Sequence, residues 1–319
     1  MSGKYIINNL KKKDREEGIT LISTFSRELF VPIFFKTLEQ MKLPREKIHL
    51  LIYDNTQDVS LSNALQEAMK GYGDKYKSIR LYKSYLKGRG SIKGSGNERF
   101  KTSKLWNIWQ MWIRIFQSPQ TMVHTPTFFM MEDDTICPSN SFNKLYKSLM
   151  ASEKIAMVTA IATGRNNKPW DSVRLGVHNV TMKGKKLIRR ESFHPDTKGI
   201  KEINGAGVYC FVARTKGFNS GFDGFDPISF KTPFFAMDNV LIWNIVNHGY
   251  KVLADFSVWC SHLQASAARV IAFGKYQAVE MIDIWIPEIN NYAQGIEVKR
   301  TNQRNRKYRV RKMAESWEI

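Results

Sequence analysis

The sequence predicts an α/β fold with a parallel sheet. Two observations carry that expectation: short β-rich apolar runs recur along the chain, and segments of helical period separate them. Size agrees, since 319 residues and 37.0 kDa are ample for a buried core in one large domain or two small ones. The first run, Ile19 to Phe25, opens into Ser26-Arg27 and an amphipathic stretch over 28–41 that Pro44 closes. A second strand over 48–53 ends at Asp54-Asn55, and a polar turn leads to a helical pattern over 59–70 and a third strand near 78–84. Residues 86–97 form a basic, Gly-rich loop, after which Thr102 or Ser103 caps a helix carrying Leu105, Trp106, Trp109, Trp112, Ile113 and Phe116.

Pro119 stops that helix, and residues 127–131 make a fourth strand running straight into Glu132-Asp133-Asp134. An apolar run over 155–162 follows, then a turn-rich basic region to about residue 202. Residues 206–213 read as another strand. A helix begins at Met237-Asp238, lines one face with Leu241, Ile242, Ile245 and Val246, and ends at His248-Gly249, before a strand-like Tyr250 to Leu253. Beyond about 297 the chain is polar and basic, the composition of a segment disordered when free. The three tryptophans of the 105–116 helix fall at helical spacing and read as core packing.

Composition narrows the class. A hydrophobic fraction of 43% with 12% aromatics excludes a disordered chain. Three cysteines, Cys137, Cys210 and Cys260, cannot build a disulfide framework and match no zinc spacing. The start of the chain carries no signal-peptide pattern, and no uncharged apolar run reaches the roughly 18 residues of a membrane span. A soluble, cytoplasmic protein is expected. Its formal charge is +20, and the excess is concentrated: net +9 over residues 70–104, +5 over 183–201 and +8 over 299–312. Three basic segments on a near-neutral body have the pattern of docking surfaces for a polyanion, either nucleic acid or an anionic membrane surface. Lys87, Arg89 and Lys93 of the Gly-rich loop and Arg304, Arg306 and Lys307 of the C-terminal segment are the expected polyanion contacts.

The acidic triplet Glu132-Asp133-Asp134 is the sharpest chemical feature. Carboxylates crowded at the end of an apolar strand repel unless a cation neutralises them. Hard oxygen ligands suit Mg2+ or Mn2+. An extended geometry would put Glu132 and Asp134 on one side, one for the metal and the other for a sugar hydroxyl or a metal-bound water. Asp54-Asn55 lies where open α/β sheets bind ligands, so Asp54 reads either as a base or ribose contact or as a turn cap. His262, following Trp259-Cys260-Ser261, reads either as a further metal ligand or as a structural histidine. The Gly-rich loop has no Walker spacing, and its Arg89, Lys93 and Arg99 offer unspecific phosphate contacts.

Together these segments resemble the family 2-like glycosyltransferases of the GT-A fold, over about residues 19–265. Ile19 to Phe25 is similar to the first strand, whose end lies beside the nucleotide, and Asp54 matches the acidic residue after the second strand. Glu132-Asp133-Asp134 matches the D-x-D-type motif, with Glu132 in place of the usual first Asp. Asp238-Asn239, a helix and then His248-Gly249-Tyr250-Lys251-Val252 resemble the "E-D … G-Y-K-V" segment with the catalytic base; the usual Glu is Met237 here, so only Asp238 transfers. Asn204-Gly205-Ala206-Gly207 resembles the loop on the acceptor side.

The resemblance implies a Rossmann-like mixed sheet flanked by helices over residues 19–297, between an N-terminal extension (1–18) and a basic tail (298–319). It implies a nucleotide-sugar donor, UDP-sugar first, held by Thr24, Phe25, Arg27, Asp54, Asn55, Arg99, Lys104, Glu132 and Asp133, with Mn2+ or Mg2+ on Asp134 and His262. Gly205, Ala206 and Gly207 would line the acceptor, and Asp238 would deprotonate its hydroxyl for an inverting single displacement. The charge pattern extends this to double-stranded DNA carrying a 5-hydroxymethylpyrimidine, a reaction known among bacteriophage enzymes and one that turns the base out of the stack. The alternatives are a glycan or lipid-linked acceptor at a membrane surface, and a non-catalytic nucleic-acid-binding module on the same scaffold.

Overall fold

Residues 3–84, 106–117, 121–162, 176–183, 186–194, 196–224 and 237–262 are described by a computed structural model of the chain. Lys4–Asn8 forms β1, so part of the N-terminal extension is drawn into the main sheet as an antiparallel edge beside β4. Ile19–Phe25 (β2) leads through a 3-10 turn at Glu28–Phe30 into α1 (Val31–Gln40), where proline occupies the first turn and costs no hydrogen bond. Ile48–Asp54 (β3) is followed by α2 (Val59–Lys70), whose N-cap Asp58 accepts the Ser60 N–H at 2.9 Å. Ser78–Lys83 is β4, Trp106–Phe116 is α3, and Thr127–Met131 and Thr135–Ile136 are β5 and β6.

The second half departs further from the sequence reading. Ser141–Met150 is a helix, α4, and Ile155–Ala162 is β7. The region read as turn-rich contains Val177–Lys183 (β8), Lys186–Ser192 (β9) and Ile200–Ile203 (β10). Charged and exposed residues in β9 and β10 hide the alternation that marks a half-buried strand. The strand expected over 206–213 is two strands in two sheets: Gly205–Ala206 (β11) pairs with β8, and Cys210–Arg214 (β12) lies in the main sheet. Thr215–Asn219 is α5, Met237–Asn247 is α6, and the last strand, β13, runs from Lys251 to His262, well past Leu253.

The main sheet has the order β1-β4-β3-β2-β5-β12-β7-β13-β10, with β6 added to β13; β11-β8-β9 form a separate antiparallel sheet. The sheet is mixed, as the family resemblance implies, rather than the parallel sheet that the alternation of elements alone suggests. Strands β4, β3, β2 and β5 run parallel, whereas β12 is antiparallel to both of its neighbours, β5 and β7. Every residue of β3, β5 and β7 is buried, as expected for strands covered on both faces. Alternate residues face opposite layers: Leu21 and Phe129 pack with Phe34 and Leu38 of α1, Leu65 of α2 and Leu145 of α4. Ile22 and Phe128 pack with Trp112 and Phe116 of α3, Phe218 of α5 and Leu241 of α6. The chain steps from β2 to β3 to β4 on one side and returns to place β5 on the other side of β2. The carboxyl ends of β2 and β5 therefore flank a topological switch point, the usual place for a ligand in an open α/β sheet.

Phe218 is the centre of the second layer, with ring centroids 4.9 Å from Phe116, 5.0 Å from Phe128 and 5.5 Å from Phe211. Phe218→Ala should lower stability by about 3–5 kcal/mol in urea unfolding without changing the far-UV spectrum. A loss well under 1 kcal/mol would show that this layer is not packed as described.

Candidate functional site

The acidic triplet sits at the switch point. The Thr135 N–H donates to the Glu132 carbonyl at 3.2 Å, so the triplet is a tight turn between β5 and β6. The extended geometry expected from sequence, with Glu132 and Asp134 on one side, is thereby corrected. The turn buries Asp133 and Asp134, which are 6% and 1% exposed, and leaves Glu132 half-buried. Two bonds fasten it to the end of β2: Ser26 N–H donates to Asp133 Oδ2 at 3.2 Å, and Arg27 Nη2 donates to Asp134 Oδ2 at 3.1 Å. Arg27 also lies over the Phe30 ring at 4.4 Å, which orients its guanidinium. Carboxylate oxygens are the donor type that Mn2+ or Mg2+ takes, but among the described residues these three are not drawn together around one point: Asp133 Oδ2 is held by Ser26 and Asp134 Oδ2 by Arg27. The register of β13 puts the His262 backbone opposite Thr135, the residue after Asp134; its side chain lies outside the described residues.

Other donor-side expectations change. Phe25 is fully buried, its ring edge-on to Phe34 at 5.1 Å, so only its backbone reaches the site, where its carbonyl accepts the Asn55 N–H at 3.1 Å. Asp54 is fully buried and its carboxylate is engaged by the protein's own donors: Thr56 N–H at 3.0 Å, Thr56 Oγ1 at 2.7 Å, Ser62 Oγ at 2.5 Å and Lys83 Nζ at 3.2 Å. The turn-cap reading of Asp54 is the one this geometry matches. Thr24 and Asn55 are half-buried at the rim. Arg99, Lys104, Lys87, Arg89, Lys93, Arg304, Arg306 and Lys307 lie outside the described residues.

The acceptor-side expectations separate in the same way. Gly205, Ala206 and Gly207 are buried, and none offers a side chain to a ligand. Their small size answers a packing need: a Cβ on Gly205 would lie 2.7 Å from the His178 ring, and one on Gly207 would lie 2.3 Å from the Tyr209 ring. This loop connects the two halves of the site. At one end α6 packs against β11; at the other, the Tyr209 carbonyl accepts the Glu132 N–H at 2.9 Å.

Asp238 stands in the first turn of α6, half-buried, with its Oδ1 accepting the Asn239 N–H at 2.9 Å. Burial pushes its carboxyl up to about 6, against the pull of the α6 backbone N–H groups and the Arg190 guanidinium. His178 was not anticipated from sequence. Arg190 Nη2 lies 3.1 Å from His178 Nδ1, and a guanidinium can only donate, so Nδ1 accepts and Nε2 carries the proton. Burial first, then Arg190, pushes His178 down to about 3, so it is neutral at physiological pH. No sequence signal joins His178 to Arg190; the β8–β9 pairing, with Val180 opposite Arg190, does. A separate cavity of about 540 Å³, lined by Phe116, Lys216, Asn219 and His248 among others, adjoins α5, which follows β12 at the amino-terminal end of β5, away from the carboxylates.

No protein-family model matches this chain, and no curated protein matches it in sequence. Solved structures do match in shape. The chain is similar to GalNAc-T7, solved with UDP, GalNAc and Mn2+, at a TM-score of 0.50 and 11% identity over 94% of this chain, and it spans 55% of that protein's length. A mannosyltransferase from Pyrobaculum calidifontis, PcManGT, solved with GDP-Man and Mn2+, aligns at a TM-score of 0.46 and 10% identity, covering 95% of this chain and 76% of that one. The fold is that of the GT-A glycosyltransferases, a large mixed sheet flanked by helices.

Proposed function

We propose that this protein is a metal-dependent glycosyltransferase that moves a sugar from a nucleotide-sugar donor to a hydroxyl group on a polyanionic acceptor, double-stranded DNA bearing a 5-hydroxymethylpyrimidine. The observation that carries the reading is the position of the Glu132-Asp133-Asp134 turn at the switch point of a GT-A sheet, tied to the end of β2 by Ser26 and Arg27, with the raised carboxyl of Asp238 beyond the 205–209 loop. The UDP and Mn2+ bound by GalNAc-T7 support a UDP-sugar and a divalent cation here.

In this reading Asp134 and His262 would hold the cation, with Glu132 and Asp133 on the donor side, and the bound cation would neutralise the diphosphate leaving group. Ser26 N–H holds Asp133 Oδ2 in place, and Arg27 sets a positive charge against Asp134 Oδ2. Asp238 takes the proton from the acceptor hydroxyl as its oxygen attacks the anomeric carbon and the bond to the diphosphate breaks. A carboxyl near 6 suits this work, because it is ionised at neutral pH yet more basic than an exposed aspartate. The exposed basic residues of β8–β10 and their connections, Lys183, Arg189, Lys198 and Lys201, support a polyanionic acceptor. Among the described residues no helix is long and apolar enough to cross a membrane.

The test is to incubate the protein with Mn2+, a panel of nucleotide sugars and DNA containing hydroxymethylcytosine, hydroxymethyluracil or neither, then digest the DNA and weigh the nucleosides. A sugar added to one modified base is expected. Release of nucleoside diphosphate without a DNA product would refute the acceptor and send the search to glycans or lipids. Asp134→Asn should abolish metal-dependent transfer while circular dichroism stays native; full activity in that variant would remove the carboxylate turn from the mechanism.

Asp238 gives a second, opposed pair of effects. Asp238→Asn should lower kcat by about 10²–10⁴-fold. Its effect on stability has the other sign. Because the folded carboxyl titrates near 6 and the ordinary value is 3.8, the native fold disfavours the ionised form. Stability is therefore lost as pH rises from 3.8 through 6, and the asparagine variant should melt higher than the native protein at pH 8 and equally at pH 3.5. Equal melting at both pH values would show that Asp238 is not desolvated.

A further inference from the structure

The three cysteines, widely separated in sequence, meet in one place. Cys210 opens β12 opposite Met131, the last residue of β5. Ser261 pairs with Ile136 in the β6–β13 ladder, so one step further along that antiparallel register Cys137 faces Cys260. All three side chains are fully buried in the same apolar layer, with every sulfur within 4.8 Å of the others and Cys260 Sγ 3.4 Å from Cys137 Sγ. None is bonded as a disulfide. The cluster lies at the end of β6, immediately after the carboxylate turn.

Two kinds of chemistry use such a cluster. A soft metal ion would take the three thiolates, but zinc requires a fourth ligand, and among the described residues no imidazole or carboxylate joins the group. A mono- or divalent cation on three thiolates would also leave uncompensated negative charge in an apolar layer, which is costly. A disulfide leaves no charge. Cross-strand neighbours bring their Cβ atoms close to the separation a disulfide needs, and the sulfurs need to approach by only a little over 1 Å to bond at about 2.05 Å.

We propose that Cys137 and Cys260 are a covalent modification site, a thiol pair that peroxide converts to a disulfide clipping β6, and with it the carboxylate turn, to β13. The step balances as two thiols and one hydrogen peroxide giving one disulfide and two waters; the cysteine sulfurs are oxidised and the peroxide oxygens reduced. Cys210 lies across the sheet from Met131 rather than from either of these cysteines, and is the neighbour that stays a thiol. This inference is independent of the transfer reaction.

The full chain, purified in reductant and then freed of it, is treated with stoichiometric hydrogen peroxide, denatured, alkylated with iodoacetamide, digested and weighed. A linked peptide pair joining Cys137 to Cys260 is expected, with Cys210 alkylated and the thermal midpoint raised above that of the reduced protein. Cys210→Ala should keep both the linked peptide and the shift, whereas Cys260→Ser should lose both while its circular dichroism stays native. Three alkylated cysteines after peroxide would overturn the proposal, as would a linkage through Cys210 or a soft metal that co-purifies with the cluster and blocks the reaction.

Discussion

Carboxylates crowded at the end of a buried strand repel one another, and the site depends on how that repulsion is relieved. Asp133 and Asp134 sit beneath the surface, where an unpaired negative charge is costly. The relief comes from β2, through the Ser26 N–H on Asp133 and the Arg27 guanidinium on Asp134, at 3.2 and 3.1 Å. The same two bonds close the gap between β2 and β5, the neighbours across which the strand order reverses. Electrostatic necessity thus fastens together the two strand ends that frame the candidate site. The tight turn completes the arrangement, because the Thr135 N–H bond to Glu132 directs the chain into β6.

From that turn the coupling runs to Asp238 through a loop chosen for its lack of side chains. Tyr209 holds Glu132, Gly207 bonds the Gly176 carbonyl at 2.7 Å, and Gly205 lets His178 and Asn239 close on the backbone. Beside them Arg190 locks the His178 tautomer and tempers the desolvation of Asp238. The glycines that the sequence suggested as an acceptor surface also meet a packing need, since Cβ atoms there would meet His178, Asn239 and Tyr209.

How much was legible in the sequence follows the physics of each element. Ile48–Asp54 and Val59–Lys70 were read almost to the residue, because a buried apolar run and a helical period are local signals. Strands β9 and β10 were missed because exposed charged residues mask the alternation. The acidic triplet was found by composition alone, but its turn was not, since that depends on a single hydrogen bond to Thr135. The Arg27–Asp134 pair, 107 residues apart, and the meeting of Cys137 with Cys260, 123 residues apart, exist only through the sheet order. Asp54 shows the opposite limit: the sequence places it at the end of β3 but not the Ser62 and Lys83 partners that engage its carboxylate.

The central claim is that the turn at Glu132–Asp134 forms a cation-dependent nucleotide-sugar site. Isothermal titration of the protein with UDP-sugars and GDP-sugars, in Mn2+ and again in EDTA, tests it most directly. Saturable one-to-one binding in Mn2+ that disappears in EDTA is the result expected. No binding of any nucleotide sugar in Mn2+, or binding of equal strength in EDTA, would contradict it.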